Sequence, residues 1–483
     1  MMYSTTLTGI LAVLATAPLV SADTTITIEP KTTRGTWEGW GTSLAWWAKK
    51  FGDRDDLADI FFTLNYTEFA GQSLPGLGFN IARHNAGACS WNSVDGESMV
   101  VSPNMMPSRQ IEGHWLNWDS SDPASASWDW SVDANQRTMT TKARDRGANR
   151  IELFSNSPMW WMCKNHNPSG SSDGSENIQS WNLQQHAVYM ATIAQYAKQN
   201  WGITFESVEP FNEPSANWWK ADGKQEGCHI DVPTQATIIN HLRNELDSRG
   251  LESMIIAASD ESLYDQAAST LQNLGDIALN EVPRVNVHGY QYGDGRRDSV
   301  FSLANARGIR VWNSEYGEND ATGERLLSNL FLDFRWLYPT AWVYWQVLDS
   351  SGWGLIDADN EAGRLGDPTQ KYFVLAQFSR HIREGMTILD GGARNVVAAH
   401  DSKTKKLVIV AVNWDAPQYL NFDLSKFTQG GVQGAKIVRW STQIGSGERY
   451  VQYADDTAID GTKFWSWFEK GAVQTFEIEN VAL

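Results

Sequence analysis

The chain has 483 residues, 42% of them hydrophobic and 12% aromatic, enough for one large barrel plus a smaller domain and too well cored for a disordered protein. Its 39 Lys and Arg stand against 57 Asp and Glu, a formal charge of -18 that would repel phosphate backbones and anionic membrane surfaces. Nucleic acid and membrane are therefore excluded as partners.

The first segment, MMYSTTLTGILAVLATAPLVSADTT, is apolar from Leu7 to Val20 and ends in small residues around Ala22. It is too short for a membrane span and reads as a secretory signal over residues 1–22, although no Lys or Arg precedes the apolar core. A secreted, extracellular monomer is expected. Cys89, Cys163 and Cys228 are too few for a disulfide scaffold and lack metal-site spacing; an oxidising exterior allows one bridge with one thiol left over. Asn65-Tyr-Thr is a glycosylation sequon.

Residues 23–35 include TTITIEP, an alternating run that could add a strand to a C-terminal sheet. Over 36–384 eight candidate strands follow in order: GWGTSLAW (39–46), LGFNIARHNAG (77–87), RIELFSNSPMWW (150–161), FESVEPFNEP (205–214), MIIAASDE (254–261), RVNVHGYQY (284–292), IRVWNSEYGE (309–318) and TAWVYWQV (340–347). Helical patterns lie between them, including RDDLADIFFTLNY, ANQRTMTTKARDRG, WNLQQHAVYMATIAQYAKQN and PTQATIINHLRNELDSRG. This alternation predicts an α/β fold, a (β/α)8 TIM barrel; an open doubly wound sheet would carry an early glycine-rich nucleotide loop, which is missing. Residues 385–483 change to short alternating strands separated by Gly, Asp and Ser turns, the pattern of an antiparallel β-sandwich side domain. Its Trp440, Trp465 and Trp467 are expected to pack the sandwich core or its face against the barrel.

In such a barrel the working residues sit where strands stop. Polar residues that interrupt an apolar run before its turn include Arg83 and Asn85, Asn156, Asn212 and Glu213, Asp260 and Glu261, His288 and Tyr290, Glu315, Trp345 and Gln346. Glu213 and Glu315, at the ends of the fourth and seventh strands, can place one carboxyl on a leaving oxygen and the other beneath a reacting carbon. A separation of about 5 to 5.5 Å would mean a retaining glycosidase and about 6.5 to 9.5 Å an inverting one. Nine of the 24 tryptophans, Trp46, Trp47, Trp91, Trp160, Trp161, Trp218, Trp219, Trp345 and Trp353, fall at or just beyond strand ends, where flat indoles can bind the CH faces of sugars. Each WW pair leaves room for one indole to pack and its neighbour to face the cleft. No HExxH, clustered Asp-x-Asp, Cys/His set or Gly-x-Ser-x-Gly occurs, so neither metal nor cofactor is expected.

FNEP, NSEYG, NSPMWWM, HGY and YFVLAQFSRHIREGM (372–386) together resemble glycoside hydrolase family 30. GWGTSLAWWA, GFNIARHNAG and FSNSPMWWM are most similar to its fungal members that cut β-1,6-galactan internally. The resemblance implies a retaining mechanism with Glu213 as acid/base and Glu315 as nucleophile. It further implies that Asn212 bonds the sugar 2-hydroxyl, that Arg83 supports the nucleophile, and that Trp161, His288, Tyr290 and Trp345 line the pocket. The implied partner is a polysaccharide substrate, the β-1,6-galactan of arabinogalactan. β-1,6-Glucanase, glucuronoxylanase and β-glucosidase-like activities remain alternatives, as does a carbohydrate-binding protein without catalysis. A glucuronoxylanase would want a cationic clamp, whereas the loop after the eighth strand is acidic through Asp349, Asp357, Asp359 and Glu361.

Overall fold

Short β-branched and aromatic runs close into a parallel barrel in the computed structural model, which describes residues 24–427, 432 and 436–483. The leader expected over residues 1–22 lies outside the described residues. The strands are β1 (Gly39–Ser43), β2 (Ile81–Asn85), β3 (Arg150–Phe154), β4 (Ser207–Glu209), β5 (Ile255–Glu261), β6 (Arg284–His288), β7 (Arg310–Tyr316) and β8 (Ala341–Tyr344). Each pairs in parallel with its successor, and β8 returns to β1, so all eight expected runs enter the ring.

Parallel neighbours need crossovers. The principal helices that supply them are α1 (Asp55–Phe62), α2 (Ala134–Asp145), α3 (Leu183–Tyr196), α4 (Val232–Ser248), α5 (Tyr264–Asn273), α6 (Arg297–Asn305) and α7 (Glu324–Leu332), and α8 (Gln370–Ser379) follows β8. The RDDLADIFFTLNY pattern stops short of its full length. Thr63 is extended, its N–H closes on the Asp59 carbonyl, and the chain enters a hairpin of Tyr66–Phe69 with Gln72–Pro75.

The side domain has two sheets. Seven strands, in the spatial order 29–36, 387–390, 396–401, 406–412, 472–478, 437–443 and 451–453, form one; strands 24–27, 418–423 and 463–468 form the other. The N-terminal segment thus gives one strand to each sheet, and Thr24–Thr27 runs parallel to its partner. The run Lys406–Val412 is buried on both faces because Leu407, Ile409 and Ala411 enter the sandwich core while Val408, Val410 and Val412 join the core shared with α8. Trp440 packs against the barrel side as expected, its ring 4.5 Å from that of His381. Trp465 and Trp467 do not: they alternate with the buried Phe464 and Phe468, and this phase turns both indoles outward.

All three cysteines are buried and unbridged, so the bridge that the compartment would allow is not formed. Burial pushes the Cys163 thiol up to about 12. Among the described residues no helix is long and apolar enough to cross a membrane.

Candidate active site

The pairing register shifts near the C-terminal ends of β5, β6 and β7, between Ser259 and Glu261, Val287 and His288, and Asn313 and Tyr316. Such irregularities re-aim side chains at barrel rims. Asp260, His288 and Glu315 stand at these three places. Gly289 beyond β6 is required by close approach, since a Cβ there would lie 2.7 Å from the Tyr316 ring.

The strand ends border a cavity of about 470 Å3 lined by Asn212, Glu213, Tyr290, Glu315 and Trp345, together with Trp46, Arg109, Trp218, Trp219, Lys224, Asp349 and Trp353. Glu213 follows β4 with φ 49°, a left-handed backbone uncommon for a residue with a side chain. Both its backbone groups are pinned: the N–H donates to the Asp260 carbonyl at 2.9 Å, and the carbonyl accepts from Trp219 Nε1 at 2.9 Å. Its carboxylate lies 3.2 Å from Trp218 Nε1 and 3.1 Å from His288 Nδ1.

Glu315 accepts the Tyr290 hydroxyl at 2.9 Å on Oε1 and Arg83 Nη1 at 3.2 Å on Oε2. Burial pushes its carboxyl up to about 7, against the pull of His288 and Arg83. Arg83 is fully buried beneath the cleft and also pairs with Glu152 at 2.8 Å and with Asp260. His288 sits at the junction, with Nε2 3.1 Å from Asp260 and Nδ1 3.5 Å from Glu315. Burial opposes its charge, but Glu315 and Asp260 outweigh that and raise it to about 10. Glu213, His288 and Glu315 present ligand-type atoms within 4.8 Å of one another. A protonated imidazole donates to carboxylates instead of binding a cation, so this geometry serves hydrogen bonding better than metal ligation.

Asn212 is buried at the cleft wall, and its Oδ1 has no protein partner, an acceptor facing the place where a hydroxyl could bind. Trp345 meets Trp46 edge to face at 4.9 Å. Trp161 departs from its expected place. It is 1% exposed, donates Nε1–H to the Trp115 carbonyl at 2.8 Å, and packs edge-on against Trp115 and Trp118 away from the cleft. Trp160 is buried as well, whereas Trp218 and Trp219 both line the cavity; only Trp46 and Trp47 divide as expected, one to the cleft and one to the core.

No sequence pattern gives a role to Asp260, Glu152, Arg284, Arg109, Lys224 or Glu226. Asp260 was visible as a strand-end carboxylate, but its partners come from other strands. Glu152, Arg284, Ser207 and Asn286 form a hydrogen-bonded layer inside the barrel below Arg83. Arg109 lies 4.3 Å over the Trp46 ring and feels the charges of Asp349 and Glu361. Glu226, on the loop after β4, accepts from the Ala88 N–H at 2.9 Å and Asn85 Nδ2 at 3.1 Å, and burial pushes it up to about 7.

A family model described as O-Glycosyl hydrolase family 30 matches residues 23–277. An endo-beta-1,6-galactanase of Hypocrea rufa is 59% identical over 462 residues, spanning 96% of this chain and 96% of that protein. Among solved structures, a conserved exported protein from Bacteroides fragilis matches with a TM-score of 0.74 at 17% identity, covering 94% of this chain and 100% of that one. The catalytic domain of GH30 xylanase C from Talaromyces cellulolyticus matches with a TM-score of 0.69 at 21% identity, covering 94% and 99%. At these identities the two structural likenesses concern the fold.

Proposed function

The chain belongs to glycoside hydrolase family 30, and from that premise we propose that it cuts β-1,6-linked galactan internally, with Glu213 and Glu315 performing a double displacement. The observation that carries the chemistry is the pair of carboxylates at the ends of β4 and β7, with oxygens within 4.8 Å of each other across the cleft. An approach this close supports direct attack by one carboxylate, as in a retaining enzyme, whose carboxyls stand about 5–5.5 Å apart.

In the first step Glu213 gives its proton to the glycosidic oxygen while a Glu315 oxygen bonds to the anomeric carbon and the carbon–oxygen bond to the leaving sugar breaks. In the second, Glu213 takes a proton from water, whose oxygen displaces Glu315 and restores both groups. Arg83 and the Tyr290 hydroxyl hold Glu315 in place, and the free Asn212 Oδ1 accepts the sugar 2-hydroxyl. Trp46, Trp218, Trp219 and Trp345 supply aromatic walls for the sugar rings. The substrate is β-1,6-linked galactan, an assignment supported by the Hypocrea rufa relative, and its source is the side chains of arabinogalactan, as the family resemblance implies. The protein acts as a secreted enzyme, a reading supported by the leader expected over residues 1–22.

Chromatography of products from dearabinosylated β-1,6-galactan, β-1,6-glucan and glucuronoxylan tests this reading. Short galacto-oligosaccharides from the wild type, absent with Glu315→Ala, are expected. Products from another polymer alone would overturn the substrate, and activity surviving Glu315→Ala would overturn the mechanism.

A further inference from the structure

The outward tryptophans of strand 463–468 belong to a second aromatic site. This strand is an edge of the three-stranded sheet, and among the described residues its neighbouring strand is 418–423. Trp465 is 50% exposed and Trp467 is 45% exposed, while Tyr419, directly opposite Trp467, is 42% exposed and meets it at 5.0 Å between ring centroids. An edge strand carrying such an apolar face invites association unless it has a partner.

Beside these rings lies a cavity of about 400 Å3 that shares no residue with the catalytic cleft. Its size falls in the range of small-ligand sites, about 300–1,000 Å3. Trp467 Nε1 donates to Glu469 at 2.8 Å, which fixes the plane of the indole. Arg439 pairs with Asp456 and lies 4.0 Å over the Tyr453 ring, so its charge is already matched. The remaining Glu448 and Glu469 disfavour an anionic ligand, and Ser441 and Gln443 offer neutral hydrogen-bonding groups at the edge. Flat aromatic faces bordered by neutral polar groups suit the CH faces and hydroxyls of a neutral sugar chain.

The site is tied to the catalytic end of the barrel. Gln370, the first residue of α8, donates to the carbonyls of Gln443 and Glu448 at 3.1 and 3.0 Å. The adjacent Lys371 donates to the carbonyls of Glu318 and Gly352 at 2.7 Å each, and Ser351 and Trp353, on either side of Gly352, line the catalytic cavity.

We propose that Trp465, Trp467 and Tyr419 form a second carbohydrate-binding site that holds the galactan polymer while the barrel cuts it. The choice of ligand rests on the function proposed above. The test is electrophoretic retardation in native gels containing dearabinosylated β-1,6-galactan, with β-1,6-glucan and a polymer-free gel as references. Glu315→Gln protein, which cannot degrade the gel, is compared with the same protein carrying Trp465→Ala and Trp467→Ala. Retardation by galactan is expected to weaken about tenfold on removal of both indoles, a stacking-sized effect of two rings. Trp465→Tyr with Trp467→Tyr should keep most of it, and unchanged melting temperatures show that the variants are folded. Equal retardation with and without the indoles overturns the second site even if the wild type cuts galactan. Indole-dependent retardation by glucan and not by galactan overturns the ligand. Failure of the wild type to cut galactan strikes the proposed function and leaves the gel comparison to decide the site on its own.

Discussion

Arg83 is the cation on which the buried carboxylates depend, since Glu152, Asp260 and Glu315 all bond to it and it is wholly screened from water. Removing one partner of a buried ion pair leaves the others uncompensated. Arg83→Met is therefore expected to lower stability by about 3–5 kcal/mol, measured by denaturant unfolding, and to reduce kcat by displacing Glu315. His288 gives a signed pH effect. Its folded value of about 10 lies above its ordinary 6.5, so the stabilisation it supplies is complete below 6.5 and disappears as pH climbs through about 10. Glu315, raised from 4.5 to about 7, contributes with the same sign at lower pH. The wild-type melting temperature should fall from pH 6.5 to 10 more steeply than that of His288→Gln; parallel curves would show that the imidazole is uncharged in the fold. Glu213 and Glu315 were legible in the sequence because each interrupts an apolar run just before its turn. The links from His288 to Asp260 and from Arg83 to Glu152 were not, because residues on different strands acquire distances only when the barrel closes.

Elements position these residues through their ends. The shifted registers of β5, β6 and β7 turn Asp260, His288 and Glu315 toward one another, and the loop after β4 is held from beneath by Glu226. Glu226→Ala would strand the buried Ala88 N–H and the Asn85 amide, a loss of about 1–3 kcal/mol measurable as a lower unfolding midpoint. If the loop matters only through this anchor, Glu226→Gln, which keeps one acceptor oxygen, should recover part of the loss. All eight strands could be read from their β-branched and aromatic runs bounded by turns. The fate of the WW pairs could not: a short helical turn, Trp160–Met162, carries both Trp160 and Trp161 inward. Strand phase likewise decided Trp465 and Trp467, and the alternation KFWSWF already placed them on one face, opposite the phenylalanines. What the sequence left open was which face met the core.

The whole molecule is a barrel buttressed by a sandwich through α8. His381 follows that helix; burial lowers its pKa, and its ring bonds Glu477 at 2.8 Å and the Tyr450 hydroxyl at 2.7 Å. Burial opposes the charge of Glu477, but bonds from His381 and Lys406 outweigh it and draw it down to about 2 from 4.5. This depressed group stabilises fully above 4.5, and the contribution is lost as pH falls through about 2. Glu477→Gln should therefore flatten the acid side of the stability curve measured by thermal melts, with little change near neutrality in its slope. The sandwich itself was visible in the sequence, including the return of the N-terminal segment to it, whereas this joint requires three distant segments to meet. For the reaction of the whole protein, the decisive measurement is the proton NMR time course of β-1,6-galactan hydrolysis, which reports the anomer released before mutarotation. Double displacement by Glu213 and Glu315, whose nearest oxygens approach within 4.8 Å, predicts β-configured reducing ends first; α-configured ends appearing first would contradict it.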